Sequence, residues 1–396
     1  MARPQIGQHG PTRPAFGTKN NDLHLANSLT ETECVRPVDQ FLEILRVSPN
    51  YERHHMALVS HCFVFVALTG DEQIQAYSMD LDSGALELRT TSNAHGPIGS
   101  LHLHRQSGVV YGAQVGNTGL SSYQLDTDTG ALTHINSVVT GLHTPALAIT
   151  DHSGRFLISS YYTGGGVTVH AIDDDGSIGA LVQHVETGEK AHGVLIDATN
   201  RFVFIPHVCP NNKTAQFRFD ANSGQLTPND PFELTPPEDY TGPRHMCFGP
   251  GGDIVYTVNE QGNTVTVHRY DASTGTLEAV QDVSTLPDGY AGESFTAHIE
   301  IHPNGKWAYA SNRGPGDNIA GFNIAADGTL SPFGHYPVPS SPRSFNIDPT
   351  GQFCYCTGEA AGHLRSFRVD QTSGELTQMA DFEVGKSPFW TMVLGF

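Results

Sequence analysis

Ser83-Gly84-Ala85-Leu86 is a short turn that this chain writes seven times. It returns as Thr129-Gly130-Ala131-Leu132, Asp175-Gly176-Ser177-Ile178, Ser223-Gly224-Gln225-Leu226, Thr274-Gly275-Thr276-Leu277, Asp327-Gly328-Thr329-Leu330 and Ser373-Gly374-Glu375-Leu376. Successive glycines stand 46, 46, 48, 51, 53 and 46 residues apart. A turn of this kind needs a positive φ, which glycine adopts without steric cost, and the Leu or Ile two places on starts an inward-facing strand position. A near-constant period of this length marks a repeat architecture.

Outward from one copy, the unit before Gly275 opens with the alternating strand Arg244-His245-Met246-Cys247-Phe248. A Gly-Pro-Gly-Gly turn, the strand Ile254-Val255-Tyr256-Thr257-Val258 and a third strand over 264–270 follow, and an outer strand starts at Leu277. Four short strands in about 40–50 residues is a propeller blade. The first repeat supplies three outer strands (62–68, 73–79 and 86–90) and no inner one, whereas 387–394 reads as an inner strand with nothing after it. Joined, they complete one blade. The predicted fold is therefore all-β: a seven-bladed β-propeller of four-stranded blades over 56–396, closed by the C-terminal strand joining the N-terminal blade. Residues 1–55 lie outside the repeat as an N-terminal arm, in which 38–45 suits a short amphipathic helix with Phe41, Leu42 and Leu45 on one face.

Lys and Arg number 21 against 41 Asp and Glu, a net charge of −20, so neither nucleic acid nor an anionic membrane is an expected partner. No apolar run approaches the ~18 residues of a membrane span, and the first 20 residues lack a secretory apolar stretch. The six cysteines show no C-x-x-C pair, and the two-residue spacing of Cys354 and Cys356 is unsuited to a relaxed disulfide. A cytoplasmic protein with reduced thiols, monomeric or a homodimer, is expected.

In a propeller the starts of the inner strands and the loops after the second strands line one mouth of the central channel, where ligands bind. Those positions hold Lys190-Ala191-His192, Gly242-Pro243-Arg244-His245, Phe295-Thr296-Ala297-His298, Ser341-Pro342-Arg343 and Ser387-Pro388-Phe389-Trp390, together with Asn259-Glu260, Asn312-Arg313 and Gly358-Glu359. In so arginine-poor a chain, three Arg at equivalent places suit anion recognition, with His and Glu for proton transfer. Glu260 is able to orient an Arg or His, or to act as a base. His298-Ile299-Glu300-Ile301-His302 and His102-Leu103-His104 alternate on strands, but buried hydrogen-bonded histidines explain them better than a metal site. No metal or other cofactor is expected. Thr163-Gly164-Gly165-Gly166 lacks the strand-then-helix context of a phosphate loop and reads as a loop between strands.

Gly242-Pro243-Arg244-His245-Met246 running on to Tyr256-Thr257-Val258-Asn259-Glu260 resembles the seven-bladed lactonase family, which includes bacterial 6-phosphogluconolactonases and fungal 3-carboxy-cis,cis-muconate lactonizing enzymes. Ile301-His302-Pro303-Asn304-Gly305, Ala310-Ser311-Asn312-Arg313, Ser341-Pro342-Arg343-Ser344-Phe345-Asn346 and Pro388-Phe389-Trp390 carry the same likeness. The resemblance implies a metal-independent site with His192, Arg244, Glu260 and Arg343 in catalysis, and His207, His245, His298, Arg313 and Trp390 against the substrate. Many relatives have an acidic residue at His298 and another near His207. The implied activity is hydrolysis of a small anionic or sugar lactone. The alternatives are a carboxymuconate-type lactonizing cycloisomerase and a non-catalytic binding propeller, the latter predicting no convergent Arg/His/Glu cluster.

Overall fold

The computed structural model describes residues 59–116 and 119–396. Among them, 28 strands form seven four-stranded antiparallel sheets. Within each blade the strands run from channel to rim in chain order. In the fifth they are Pro243–Phe248, Ile254–Asn259, Thr264–Asp271 and Thr276–Ser284. The first blade is the exception that closes the ring: Pro388–Gly395 is its inner strand, pairing with Cys62–Leu68 so that Cys62 faces Gly395 and Val66 faces Thr391. The expected helix at 38–45 and the arm around it lie outside the described residues. Among the described residues no helix is long and apolar enough to cross a membrane.

The core is divided among the seams between blades. Each apolar cluster spans two neighbours: Phe63, Phe65 and Ile74 meet Ile98, Leu101 and Tyr123 between the first and second blades, and Val64, Val66 and Val393 meet Tyr355 and Leu364 between the seventh and first. Burying one such side chain contributes roughly 1.5–3 kcal/mol. No blade can collect that alone, so the ring is the folding unit.

The repeated turn does more than reverse the chain. All seven of its glycines have φ between 71° and 82°. Each also presses on the preceding blade: an added Cβ would meet Phe353 from Gly84, Phe63 from Gly130, Phe156 from Gly224, Phe202 from Gly275 and Trp307 from Gly374, at 2.0–2.9 Å. Buried tyrosines bind the same turns. Tyr256 Oη donates to the Gly328 carbonyl at 2.9 Å, Tyr309 to Gly374 at 2.6 Å and Tyr355 to Gly84 at 2.8 Å. Glycine therefore serves both the turn and the seam, which is why it is the most regular letter of the repeat.

Thr163 to Gly166 link Phe156–Tyr161 to Val167–Ile172, a loop between strands as expected. Cys62, Cys209, Cys247, Cys354 and Cys356 are unpaired, and Cys354 and Cys356 are buried on one strand.

Candidate active site at the channel mouth

Six inner strands are preceded by a residue at positive φ: Gly96, Thr144, Lys190, Gly242, Ser341 and Ser387. The chain arrives from the rim and turns sharply there, and in the fifth and seventh blades Pro243 and Pro342 follow, so Arg244 and Arg343 stand at equivalent places. Sixteen residues after each arginine, just beyond the second strand, a glutamate returns to it. Arg244 Nε donates to Glu260 Oε2 at 2.8 Å, and Arg343 Nε donates to Glu359 Oε2. The backbone repeats the match: Glu260 N donates to the Gly242 carbonyl and Glu359 N to that of Ser341.

The sixth blade places Arg313 where its neighbours place glutamate. Its Nη2 reaches across the seam to Glu260 Oε2 at 3.0 Å, an ion-pair contact poorly aligned as a hydrogen bond, and its Nε and Nη2 have no hydrogen-bond acceptor in the protein. Glu260 is thus held between two guanidinium groups. Arg244 is 1% exposed and also donates to the Ala297 carbonyl. Burial and the charge of Arg313 push it down to about 9 against the pull of Glu260, still cationic at neutral pH. Three guanidinium groups face two carboxylates here. A chain of net charge −20 keeps a positive surplus at this mouth.

Beside the arginines stands a group of rings. His192 and His245 meet edge to face at 5.2 Å between centroids, His245 and His298 also at 5.2 Å, and Trp390 packs against His298 at 5.4 Å and His245 at 6.1 Å. His192 reaches this place because the inner strand of the fourth blade is interrupted at Gly193, where a Cβ would stand 2.7 Å from the Arg244 carbonyl oxygen. Only Leu195–Ile196 continue as strand. Burial, reinforced by the Arg244 charge, holds both His192 and His245 well below the usual histidine range. Two neutral imidazoles therefore sit against permanent cations.

Residues 59–393 match the family model described as lactonase, 7-bladed beta-propeller. The chain belongs to this seven-bladed β-propeller lactonase family. The lactonase propeller is 33% identical over 333 residues to the 6-phosphogluconolactonase of Serratia proteamaculans, covering 84% of this chain and 98% of that protein. It is 32% identical over 335 residues to the 6-phosphogluconolactonase of Yersinia pestis, with the same coverage. The periplasmic gluconolactonase of Pseudomonas aeruginosa shares its fold with a TM-score of 0.77 at 24% identity, over 85% of this chain and 99% of that one.

Of the residues selected from sequence, the lactonase propeller gathers His192, Arg244, Glu260, His245, His298, Arg313 and Trp390 into one contact network. Arg343, paired with Glu359, stands near enough for its charge to act on His192, Arg244 and Arg313. His207 does not join them. It is fully buried in the fourth blade, with Nε2 on Thr187 Oγ1 at 2.8 Å and Nδ1 on the Ile205 carbonyl at 2.9 Å, and burial lowers it to about 4. Its backbone bridges Ala191, so it braces the segment that carries His192.

The His298, Glu300 and His302 alternation divides as well. His298 and Glu300 bond to each other, whereas His302 is buried against Trp307 and bonds to the Gly351 carbonyl. His102 bonds to Thr150 Oγ1 at 3.0 Å. Among the described residues no three His, Cys, Asp or Glu side chains come together as a metal-binding group.

Other mouth residues were placed from sequence without a role, and Tyr162 was not selected at all. Lys190 Nζ lies 4.1 Å above the Tyr162 ring, whose edge meets His192 at 5.5 Å. The Arg343 guanidinium lies 4.6 Å above Phe389. Tyr162 carries no local motif, whereas the sixteen-residue Arg-to-Glu spacing of blade five recurs in blade seven and pairs Glu359, already placed at the mouth, with Arg343.

Proposed function

We propose that this propeller hydrolyses a small lactone carrying an anionic group, of the 6-phosphogluconolactone or carboxylated aldonolactone kind, at the channel mouth. The observation that carries this reading is the joining of surplus guanidinium charge to neutral imidazoles in one network. Its relatives named 6-phosphogluconolactonase support the reaction class.

The anionic group is held by Arg343 and Arg313, whose Nε and Nη2 have no hydrogen-bond acceptor in the protein, with Lys190 at the rim as a further cation. Arg244, desolvated and oriented by Glu260, stabilises the oxyanion that develops at the carbonyl. Glu260 pairs with two cations, so it serves as their clamp, and the proton of the attacking water passes to an imidazole of the His192–His245 pair. Water oxygen bonds to the carbonyl carbon, the tetrahedral oxyanion collapses, the ring C–O bond breaks, and the imidazolium proton goes to the leaving alkoxide. The product is a hydroxy acid, which ionises. Among the described residues, five unpaired cysteines support action in a reducing compartment, the cytoplasm.

The test is proton release from a panel of phosphorylated, carboxylated and neutral lactones, with and without chelator. Turnover is expected to favour the anionic lactones and to be unchanged by chelator, and Arg244→Ala to lower kcat/KM by about 10²–10³. A wild-type protein inert toward every lactone, or an Arg244→Ala variant as active as wild type, would overturn the reading.

A further inference from the structure

From the mouth, a line of hydrogen bonds runs along the channel wall across four blades. His245 Nδ1 and His298 Nδ1 are 2.9 Å apart, and His298 Nε2 lies 2.8 Å from Glu300 Oε1. Asn346 Nδ2 donates to the same Glu300 oxygen at 2.8 Å, and Asn346 Oδ1 accepts from Val393 N at 2.7 Å. His298 and Glu300 lie two residues apart on one strand, so they share a face. His245 comes from the fifth blade and Asn346 from the seventh.

The direction of each bond follows from what the groups can donate. The Val393 N–H fixes the Asn346 amide with its NH₂ toward Glu300. A carboxylate only accepts, so His298 must present Nε2–H to it. With that single hydrogen on Nε2, His298 accepts at Nδ1, and His245, 2.9 Å away, then carries its hydrogen on Nδ1. His245 Nε2 is left with a lone pair, and Arg244 Nη1 stands nearly equidistant from the two ring nitrogens, 3.3 Å from Nε2 and 3.4 Å from Nδ1. His192 has no such support: its Nδ1 is buried without a hydrogen-bond partner.

We propose that His245 is the imidazole that accepts the water proton, and that His298 and Glu300 are positioning residues that set its tautomer and stabilise the imidazolium. The proposal rests on the hydrolase reading and names the base within it. When water adds to the lactone, its proton goes to His245 Nε2. The positive charge is shared through the Nδ1 contact with His298 and balanced by Glu300. The same proton leaves on the departing alkoxide, so the relay ends each turnover as it began. The other charged and titratable groups facing it are Arg244, Arg313 and His192 around His245, Arg343 beside His192, and the thiols of Cys247 and Cys354 near Glu300. The three arginines and His192 are unchanged by a substitution at Glu300.

Two measurements on the full chain decide it. In wild-type protein labelled with ¹⁵N-histidine at neutral pH, long-range proton–nitrogen spectra are expected to show His245 protonated at Nδ1 and His298 at Nε2. The opposite tautomer at either ring overturns the relay, whether or not any substrate is turned over. On a lactone that wild type hydrolyses, Glu300→Gln keeps an acceptor for His298 but loses the charge. It is expected to lower kcat by at least about tenfold with KM little changed. It should also move the acid limb of the kcat profile to lower pH, because the imidazolium has lost its counter-charge. Glu300→Asp should restore part of kcat and return the limb toward its wild-type position. A Glu300→Gln variant whose acid limb stays in place overturns the proposal, as a merely structural glutamate would leave it there. Inert wild-type protein would defeat the hydrolase reading and with it the base role of His245, whereas the tautomers, read without substrate, would overturn or uphold the relay by themselves.

Discussion

Replacing Glu260 by Gln tests whether that residue is a clamp or a base. Its Oε2 faces Arg244 at 2.8 Å and Arg313 at 3.0 Å, and its side chain is 13% exposed. With charge centres about 4 Å apart and an effective dielectric near 20, one such attraction is about 4 kcal/mol. Breaking a buried pair costs about 3–5 kcal/mol, chiefly for the cation left behind. Gln preserves the shape and keeps its carbonyl oxygen toward both guanidiniums, its NH₂ falling on the Gln261 side, and Arg244 keeps its bond to the Ala297 carbonyl, so about 3 kcal/mol, the low end, is the expected loss. Unfolding entropy near 2 cal/mol/K per residue gives roughly 0.7 kcal/mol/K for roughly 340 residues, and Tm should fall by roughly 4 °C in a calorimetric scan. Activity should fall with it, since Arg244 is no longer held. Adding Arg313→Gln should recover part of the stability, because one uncompensated charge goes. A base whose burial strains the fold predicts the reverse: Tm unchanged or higher with kcat abolished. That result would refute the clamp.

Three further outcomes are expected. Gly275→Ala puts a Cβ 2.0 Å from Phe202 at φ +72° and should cost about 2–4 kcal/mol, measured by urea denaturation; wild-type stability would show that the seam yields. Removing residues 388–396 deletes the inner strand of the first blade and should abolish cooperative unfolding, and an unchanged melt would exclude the closure. His102, His207 and His268 are each lowered by burial to about 4 from 6.5. Between these values the unfolded chain binds more protons than the folded one, so stability is lost as pH falls below 6.5, by roughly 2 kcal/mol per histidine at pH 5. A denaturation midpoint constant from pH 7 to pH 5 would contradict those burials.

Much of the site was legible because a propeller repeats its geometry. Once the blades are aligned, Arg244 and Arg343 fall at one position and Glu260, Arg313 and Glu359 at another. His207 shows the limit of that reasoning. Its place near the mouth follows from strand order, but whether its ring faces the channel or a seam depends on a two-residue alternation in a blade whose inner strand is interrupted at Gly193. The alternation of His298, Glu300 and His302 was visible too, whereas their separation into a relay and a seam contact was not. It is decided by Asn346 and Trp307, from other parts of the chain.

The sequence alone determined the number of blades, their closure and the mouth at which the Arg, His and Glu side chains gather, because turns and strand alternation are local and a local signal repeated seven times cannot be missed. Only the tertiary structure decided which charge answers which. Arg313 crossing to Glu260, His245 leaning on His298, and Lys190 resting on Tyr162 are contacts between different blades. Their distances depend on how neighbouring sheets pack around the axis, which no spacing within a repeat encodes.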